Sequence, residues 1–512
     1  MDESAPNYTD TVSSKDWERT PTSVKQLVGD LIARLEHLEK QHQELQNQYQ
    51  LLQEQVNRNS SNSSQSPSSD PPQVKKPGRR RKSGKKRGGQ PGHPGHHRHL
   101  FAIEQCKSVN NYYPESCRCC HAPLSGEDLS PYRHQTVEIP PVLPEVHEYR
   151  LHQRVCEVCG ETTRADLPEE VSTQVYGPRV VAIVGVLSGM YRHSQRMVQQ
   201  AMLDVFGIAM ALGSVNNLRQ QASEAVAEPV EEAKAYAQQQ PVVKSDETGF
   251  PQGNADGNNP AQRKGWLWVM VTPFVTVFQV FLRRSQQSAQ ALLGKTFGGI
   301  LISDRHSVYN WVALVCRQVC WAHLKRDFTK IAERPGISQV IGEALLKQEE
   351  MLFKLWYRVR DGTLTRSGFI EAVKPIRAEV NSLLTKAASY QIGAKDKTPL
   401  AKTVRTCRRL LKMEPALWLF VTTEGVEPTN NDSERALRPA VIWRRISFGA
   451  QTEAGSTFVA RMLTVVATLR SQERNVLEYM TEACRAAREG KPAPPLLPQQ
   501  QPLEQAQDSP AA

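Results

Sequence analysis

Three acidic residues, far apart in the chain, stand where carboxylates can act together on a metal ion. Asp246 follows a short apolar run, Asp304 ends the run GGILISD, and Glu434 lies in the polar stretch TNNDSERALRP. Mg²⁺ prefers oxygen ligands and keeps several waters, so two strand-end carboxylates and one helical carboxylate suit it. We therefore predict that these acids bind Mg²⁺, or Mn²⁺ in its place, as a two-metal site for phosphodiester chemistry on DNA. The alternative is that they are ordinary solvated strand ends and a helix cap.

Two cysteine pairs have the spacing of a zinc site. Each C-x-x-C places two sulfur atoms on one side of a tight turn, and two such turns complete a tetrahedral Zn²⁺ site. Because such a site is closed, it would stabilise a fold and would not catalyse. The long interval between the pairs predicts a small β-rich insert. Cys119 and His121 are competing ligands, and reduced cysteines in a loop-rich domain are the alternative. The predicted zinc ligands are Cys117, Cys120, Cys156 and Cys159.

A strongly basic segment, residues 75–99, precedes the cysteines. It contains ten Lys and Arg and no acid, and so nearly accounts for the net charge of +11. Glycine and proline prevent a regular helix, so we predict a flexible cationic arm that contacts DNA phosphates without reading bases. A solvated tail without a partner is the alternative. The predicted DNA-binding residues of the arm are Lys75, Lys76, Arg79, Arg80, Arg81, Lys82, Lys85, Lys86 and Arg87.

An apolar seam with alternating spacings of four and three runs through the N-terminal region. This spacing keeps one helix face towards a partner, and it predicts a coiled coil that joins copies of the chain. A helix packed on its own domain is the alternative. The Ser-, Asn- and Pro-rich residues 57–73 that follow are too poor in apolar residues to fold. The seam consists of Val24, Val28, Leu31, Leu35, Leu38, His42, Leu45, Tyr49, Leu52 and Val56.

The bulk composition points to several domains and to an anionic partner. A chain of 512 residues is long for one hydrophobic core, and its positive charge favours nucleic acid or an acidic membrane. No signal peptide is expected, because the N-terminus is polar. The longest apolar stretch, residues 266–282, is interrupted by Thr-Pro and Gln, so no membrane span is predicted. Ten cysteines without a secretory signal indicate thiols or metal ligands.

From residue 241 the pattern predicts three strands, a helix, a strand near GGILISD, a helix, a strand at RQVCWAH and a helix. This order fits a ribonuclease-H-like mixed sheet, in which the first and fourth strands are neighbours. Residues 196–220 resemble a helix-turn-helix, with the turn at Leu212-Gly213, Ser214 as N-cap, and Asn216, Asn217 and Arg219 facing outward. A plain helical hairpin is equally consistent with that segment.

Basic residues near the predicted acid site are candidates for DNA contacts. His323, Lys325 and Arg326 lie at the end of a predicted core strand, where they would hold the DNA backbone or support the metal ligands. The helix that carries Glu434 offers Arg435 and Arg438, with Asn431 or Asp432 as its N-cap. Asp432 lies about 200° around that helix from Glu434, so the two acids cannot both face the metals.

These features predict a multidomain α+β chain. It consists of an N-terminal coiled coil, a small zinc-binding domain, a helical domain and a ribonuclease-H-like α/β catalytic core with a helical insertion. The predicted boundaries are 1–20 disordered, 21–58 coiled coil, 59–100 linker and basic arm, 101–170 zinc-binding domain, 175–238 helical domain, 240–450 core with its insertion at about 330–425, 451–488 C-terminal helices and 489–512 disordered tail.

Taken together, the motifs resemble the insertion-sequence-66 family of bacterial transposases. The resemblance covers about residues 25–485 and rests on GGQPGHPGH, the two C-x-x-C pairs, SDET, CWAHLKRDF and TNNDSERALRP. It implies a DDE transposase whose triad falls on Asp246, Asp304 and Glu434. Arg305 and His306 stand where such enzymes commonly have glycine and tyrosine, although Tyr309 remains nearby.

The resemblance implies a cytoplasmic, nucleoid-associated bacterial enzyme that cuts the ends of an insertion sequence and transfers them to target DNA. Its partners would be double-stranded DNA, further copies of itself and accessory transposition proteins. One alternative is a zinc-containing DNA-binding regulator, derived from a transposase and lacking catalysis. An architectural oligomer built on the coiled coil is another.

Overall fold

The computed structural model describes residues 13–63 and 99–498. The chain divides into two compact units. The larger unit comprises Met1–Pro71, Pro168–Val198 and Ala211–Ala512, and the smaller comprises Pro72–Leu167 and Gln199–Met210. None of the helices in the described ranges is long and apolar enough to cross a membrane.

Regular secondary structure is predominantly helical. The strands are β1 (Gln153–Val155), β2 (Thr162–Arg164), β3 (Val242–Phe250), β4 (Gly265–Val271), β5 (Thr276–Phe281), β6 (Ile300–Ser303) and β7 (Arg317–Val319). The helices are α1 (Ser14–Arg19), α2 (Thr22–Val56), α3 (Pro178–Gly189), α4 (Gln195–Phe206), α5 (Leu212–Glu224), α6 (Ala227–Gln238), α7 (Gln286–Leu293), α8 (Trp321–Ala332), α9 (Ile337–Arg360), α10 (Arg366–Ser389), α11 (Pro399–Lys412), α12 (Leu419–Thr422), α13 (Asn431–Ser447), α14 (Glu453–Ser471) and α15 (Val476–Arg488).

A five-stranded mixed sheet organises the larger unit. Its strand order is β5-β4-β3-β6-β7, so the first and fourth strands in chain order are neighbours. β3 pairs antiparallel with β4 and parallel with β6. Alternate residues of β3 are buried, as expected for a strand with different environments on its two faces.

Helix α14 satisfies the backbone of the edge strand β5. Thr464 and Thr468 accept hydrogen bonds from the N–H groups of Phe278, at 2.9 Å, and Thr276, at 3.1 Å. Thr468 also donates to the carbonyl of Thr276 at 3.1 Å. Unpaired edge groups invite association with other chains, and a covering helix prevents it.

The predicted insertion packs on the β6 and β7 side of the sheet through an aromatic cluster. Helices α8 to α12 contribute most of its buried residues, together with Ile302 and Val319 of the sheet. The Trp321 and Trp418 rings are 5.0 Å apart, and the Trp321 indole donates to the carbonyl of Leu417 at 2.7 Å. This cluster fixes the start of α8, which follows β7 directly.

Helix α2 carries the predicted coiled-coil seam on an exposed face. Leu31, Leu35 and Leu38 are 49%, 58% and 59% exposed. Near its C-terminal end, Glu54 pairs with Lys402 of α11 at 2.6 Å, and Asn62 donates to Glu333 at 2.8 Å. This end of the helix is therefore tied to the insertion, while the seam remains open to a partner.

Several sequence predictions are wrong in detail. Residues 14–19 form α1 within the segment predicted as disordered, because Ser13 caps this helix by accepting from the N–H of Asp16. The predicted disordered tail packs on the core up to residue 498, since Leu496 is fully buried and Tyr479 donates to the Pro494 carbonyl at 2.9 Å. The helix predicted between β6 and β7 is instead two short 3₁₀ turns.

The smaller unit differs from the predicted β-rich insert. Between the two cysteine pairs, residues 124–152 form no strand. Four prolines, Pro131, Pro140, Pro141 and Pro144, interrupt this stretch, and proline removes the N–H that a ladder needs. The only paired strands of the described part of this unit, β1 and β2, flank the second cysteine pair.

The predicted helix-turn-helix has a different turn. The first helix, α4, ends just before Gly207, whose positive φ of 66° terminates it, and α5 begins at Leu212 after the N-cap Ala211. Asn217 is exposed. Asn216, however, accepts a hydrogen bond from Gln195 at 3.1 Å, and the Arg219 guanidinium lies 4.4 Å from the Phe458 ring centroid. Two of the three residues predicted to face outward are therefore engaged within the protein.

Candidate active site

Asp246 and Asp304 lie beside each other on the paired strands β3 and β6. The parallel register matches Val242 with Ile300 and Lys244 with Ile302, and the same offset places Asp246 beside Asp304. Asp246 lies within β3, which continues to Phe250, but it comes after the last residue that pairs with β6. It is therefore at the carboxyl end of the parallel pair, where two side chains can converge.

A buried arginine braces the turn that carries Asp304. Arg317 is fully buried in β7. Its guanidinium donates to the carbonyls of Asp304, at 2.8 Å, and His306, at 3.2 Å. The Asp304 carboxylate in turn accepts the His306 N–H at 2.9 Å. The turn is thus held from both sides, an arrangement that sequence analysis missed because the arginine lies within an apolar run.

Glu434 is positioned by the start of α13. This helix begins at Asn431, and the predicted N-cap, Asn431 or Asp432, is wrong because Asn430 occupies that position. The fully buried Asn430 amide donates to the carbonyl of Ser245 at 2.7 Å. Lys244 reinforces this contact through an ion pair with Asp432. The start of α13 is therefore fixed to β3 one residue before Asp246, and Asp432 points to Lys244.

Two residues of α8 contact the Glu434 carboxylate. Arg326 donates to it at 3.3 Å, and the His323 Nε2 atom lies 3.8 Å away. Both residues were predicted at the end of a strand, but β7 ends at Val319 and they lie in the helix that follows. Lys325 pairs with Glu349 of α9 at 2.7 Å. These contacts favour the predicted supporting role for His323 and Arg326 and leave Lys325 outside the site.

The second acid of SDET, Glu247, is part of a buried network that adjoins Asp304. It accepts a hydrogen bond from the Tyr309 hydroxyl at 2.5 Å and pairs with Arg284 at 2.5 Å. Arg284 also reaches within 3.9 Å of Asp304. Because successive residues of a strand point to opposite faces, Glu247 is directed away from Asp246. Tyr309 and Arg284 therefore bind the Glu247 carboxylate. Glu247 does not share the face of β3 that carries Asp246, so it cannot bind a metal together with Asp246 from that face.

Electrostatic coupling joins the acids. Burial raises the pKa of Asp246 well above its usual value, and the nearby charges of Glu247, Asp304 and Glu434 raise it further. The pKa of Glu247 is also raised, first by burial and then by Asp304. Burial lowers the pKa of His323. Asp246 and Glu247 therefore resist ionising, and acids with perturbed pKa values of this kind are candidates for a functional site.

The basic residues predicted to contact DNA lie partly on the exposed surface of α13 and partly outside the described residues. Arg435 is exposed and pairs with Asp432, and Arg438 is exposed on the same helix. Arg305, which replaces the expected glycine, pairs with Asp327 of α8 at 2.5 Å and so takes part in the scaffold. The nine basic arm residues predicted to bind DNA, from Lys75 to Arg87, lie outside the described residues.

The cysteine pairs of the smaller unit form two matching turns. The Cys117 N–H donates to the Ala122 carbonyl, and the His121 N–H donates to the Cys117 carbonyl, both at 2.9 Å. Cys156 makes the equivalent bonds with Glu161 and Gly160, both at 2.8 Å. His121 and Gly160 occupy the same position of the turn, with φ of 57° and 71°.

Backbone N–H groups stabilise the thiolate of the first cysteine in each turn. The pKa of Cys117 is lowered by the N–H groups of Cys120 and Cys119. Val158 and Cys159 act in the same way on Cys156, where the bond from Cys159 has the larger effect. Thiolates are the form in which cysteine binds metals.

Within residues 13–63 and 99–498, no three His, Cys, Asp or Glu side chains lie close enough together to hold a metal ion. This applies to the four cysteines of the predicted zinc site as well as to the three carboxylates. Both metal assignments stay predictions.

Comparison with known proteins identifies the family. A model described as "Transposase IS66 family" matches residues 175–457, more than half of the chain, which therefore belongs to this family. A second model, described as "Family of unknown function (DUF6444)", matches residues 13–99.

Two similar proteins come from Sinorhizobium fredii. Uncharacterized protein y4qI is 27% identical over 274 residues, which are 49% of this chain and 48% of that protein. Uncharacterized protein y4hP is 24% identical over 391 residues, 70% of this chain and 68% of that protein. The chain thus spans about half the length of the first and about two thirds of the second.

Proposed function

We propose that the chain is a DDE transposase that cuts DNA at the ends of an insertion sequence and joins those ends to target DNA. The observation that carries the proposal is that Asp246, Asp304 and Glu434, from three distant segments, are arranged around the carboxyl end of one parallel strand pair. The strand order, with its parallel first and fourth strands, supports a ribonuclease-H-like core. The family adds that the protein is derived from a transposase.

In their chemistry the three carboxylates suit Mg²⁺ or Mn²⁺, and a bound ion would have to draw them closer together. They offer oxygen donors, and their mutual repulsion is what a bound cation would relieve. When bound, two such ions would stabilise the attacking and leaving oxygens of a phosphoryl transfer. Asp246, Asp304 and Glu434 would hold the ions, while Arg326 and His323 would orient Glu434.

The reaction would have two steps at phosphorus. In the first, a water oxygen forms a bond to the phosphorus at the element end, and the bond to the 3′ oxygen breaks, which leaves a 3′-hydroxyl. In the second, this hydroxyl attacks a target phosphodiester and displaces its 3′ oxygen. The second step makes one phosphorus–oxygen bond for each that it breaks, so it needs no other energy source.

A structural zinc ion in the smaller unit is a second part of the proposal. Its ligands would be Cys117, Cys120, Cys156 and Cys159. The N–H groups directed at the Cys117 and Cys156 sulfur atoms support this assignment, because they stabilise the thiolates that Zn²⁺ requires.

The proposed partners follow from charge and pattern. The basic arm would bind the phosphates of element ends and target, and the exposed face of α2 would pair with further copies of the chain. Other element-encoded proteins would assist. We place the protein in the bacterial cytoplasm, in association with the nucleoid.

The test is a cleavage and strand-transfer assay on an end-containing duplex with Mg²⁺ or Mn²⁺. Asp246→Asn should abolish cleavage and leave DNA binding intact, because it removes one ligand and keeps the shape. Asp30→Asn, at an exposed acid of α2, is the matched control and should behave as wild type.

If the wild-type protein binds end-containing DNA but does not cut it with either ion, the proposed enzymatic activity is contradicted. This result would favour a zinc-containing DNA-binding regulator, an alternative that the engagement of Glu434 by Arg326 supports. Loss of DNA binding on removal of residues 75–98 would exclude a purely architectural oligomer, whereas binding that survives would count against the arm.

A further inference from the structure

A cleft of about 1000 Å³ lies near the other end of α13. Its walls come from the turn between α3 and α4, from α5, and from the segment that joins α13 to α14. This volume suits a small organic ligand. A B-DNA duplex, whose major groove alone is about 12 Å wide, is too large to enter. Any nucleic acid in the cleft would therefore be unpaired.

Two arginines in the cleft wall have no counter-charge. Neither Arg192 nor Arg219 pairs with an acid of the described chain, and the buried Nε atom of each has no hydrogen-bond partner there. By contrast, Arg461, also in the wall, pairs with Glu224 at 2.8 Å. Burial lowers the pKa of Arg219, as expected for a cation without a compensating anion. Burying an uncompensated charge is costly, so the two arginines point to an anionic ligand.

The backbone at Arg192 gives independent support. Its φ of 61° lies in the left-handed region, where glycine would be relaxed and most other residues are strained. Such strain persists where a side chain is needed at that position. The neighbouring His193 also lines the cleft, and its buried Nδ1 atom has no partner among the described residues.

The opposite wall is preformed and suits a base. Gly253 and Ala255 donate backbone hydrogen bonds to the carbonyls of Ala450 and Gln451, at 2.8 and 3.0 Å. At Gly449, with φ of 100°, an added Cβ would lie 2.0 Å from the Pro251 carbonyl oxygen, so this segment is closely fitted. The lining also includes amide side chains that can pair with a base, namely Asn216, Gln220 and Gln451, while Trp443 and Phe458 are buried in the wall.

Helix α13 connects the cleft to the carboxylates. Glu434 is in its first turn, and Trp443 is nine residues further along. At 1.5 Å per residue this is a distance of about 13 Å along the axis. A few unpaired nucleotides span such a distance.

We propose that this cleft binds unpaired nucleotides of the DNA substrate, with their phosphates on Arg192 and Arg219. The proposal rests on the proposed function for the identity of the ligand. It assigns to α13 two tasks, a metal ligand at its start and one wall of a single-strand cleft near its end.

The experiment compares two labelled DNAs that share one duplex, one blunt and one with a few unpaired nucleotides. Binding to the full-length protein is measured by fluorescence anisotropy without added Mg²⁺. Arg219→Gln and Arg192→Gly should each weaken binding of the tailed DNA about tenfold, the effect expected for a charge-assisted contact, and leave the blunt duplex unchanged. For the tailed DNA, the slope of the logarithm of the binding constant against the logarithm of the salt concentration should become smaller in magnitude by about 0.7 for each phosphate contact that is lost.

Two further measurements separate binding from folding. Arg192→Gly relieves the left-handed residue, so its melting temperature should not fall although tailed DNA binds less well. Arg470→Gln removes an exposed charge from α14 outside the cleft and should affect both DNAs equally. The inference is overturned when the cleft variants weaken both DNAs alike or neither.

The outcome is independent of catalysis. If Asp246→Asn loses cleavage while DNA binding does not depend on Arg192 and Arg219, the cleft proposal is refuted and the proposed enzymatic activity is supported. If the wild-type protein binds tailed DNA through the two arginines but does not cut DNA, the cleft proposal is supported and the proposed enzymatic activity is refuted.

Discussion

The hydrogen bond from the Asn430 amide to the Ser245 carbonyl is expected to determine where Glu434 lies. Both residues are fully buried, and the bond is 2.7 Å long. Asn430→Ala removes the donor and leaves a buried acceptor, which costs about 1–3 kcal/mol. For the larger unit, whose melting entropy grows with its size, that corresponds to a melting temperature lower by roughly 1–4 °C. Without this bond α13 can shift, and a displacement of 1 Å at a catalytic group costs roughly a hundredfold in rate.

The assay combines thermal melting with the cleavage rate at saturating Mg²⁺. Asn431→Ala is the matched control, because it makes the same change one residue later at an exposed position, where a substitution is expected to cost less than about 0.5 kcal/mol. DNA binding should be unchanged in both variants. Equal stability and equal cleavage for the two variants would refute the argument that Asn430 positions the acid.

Three other changes test the scaffold and the two metal sites. Thr468→Val should lower the free energy of unfolding by about 1–3 kcal/mol, because both backbone groups of Thr276 lose their partner. Thr468→Ser keeps the hydroxyl and should cost less. Equal decreases in melting temperature for the two variants would contradict the edge contact. The folded-state pKa of Asp246 is raised, so its contribution to stability is present at low pH and lost as the pH rises through that pKa. Asp246→Asn should therefore melt higher than wild type at neutral pH, with the gap closing in acid, and a gap independent of pH would be evidence against the coupling. Elemental analysis should find zinc in the purified wild-type protein and in Cys316→Ser but not in Cys156→Ser. Zinc content that neither substitution changes would contradict the zinc proposal.

The order of the strands and the candidate acids were predictable because they depend on local patterns. Apolar runs that end in an acid marked β3 and β6, and the neighbouring arrangement of these strands follows from the topology that their order implied. Glu434 was predictable from the polar stretch before an amphipathic helix. Its helix start was misplaced by one or two residues, because three polar residues, Asn430, Asn431 and Asp432, all suit an N-cap.

The supporting residues were not predictable, because their partners are distant in sequence. Arg317 reads as a solvated charge beside a short strand, yet it is buried against carbonyls that come 11 and 13 residues earlier. Arg219 reads as an outward residue of a helix, and only the packing of α14 places Phe458 beneath it. A single sequence gives no signal for such contacts, because the residue types alone do not indicate which distant segments pack together.

Three side chains that hold the sheet and the candidate site share one physical feature, which is that each of them bonds to backbone groups. Asn430 binds the Ser245 carbonyl, Arg317 binds the carbonyls around Asp304, and Thr468 binds both backbone groups of Thr276. Every residue type has a backbone carbonyl, so these anchors fix the course of the chain whatever the neighbouring side chains are. The carboxylates repel one another, and apolar packing alone would let them separate. Directional bonds to the backbone therefore keep the segments that carry Asp246, Asp304 and Glu434 in place against this repulsion.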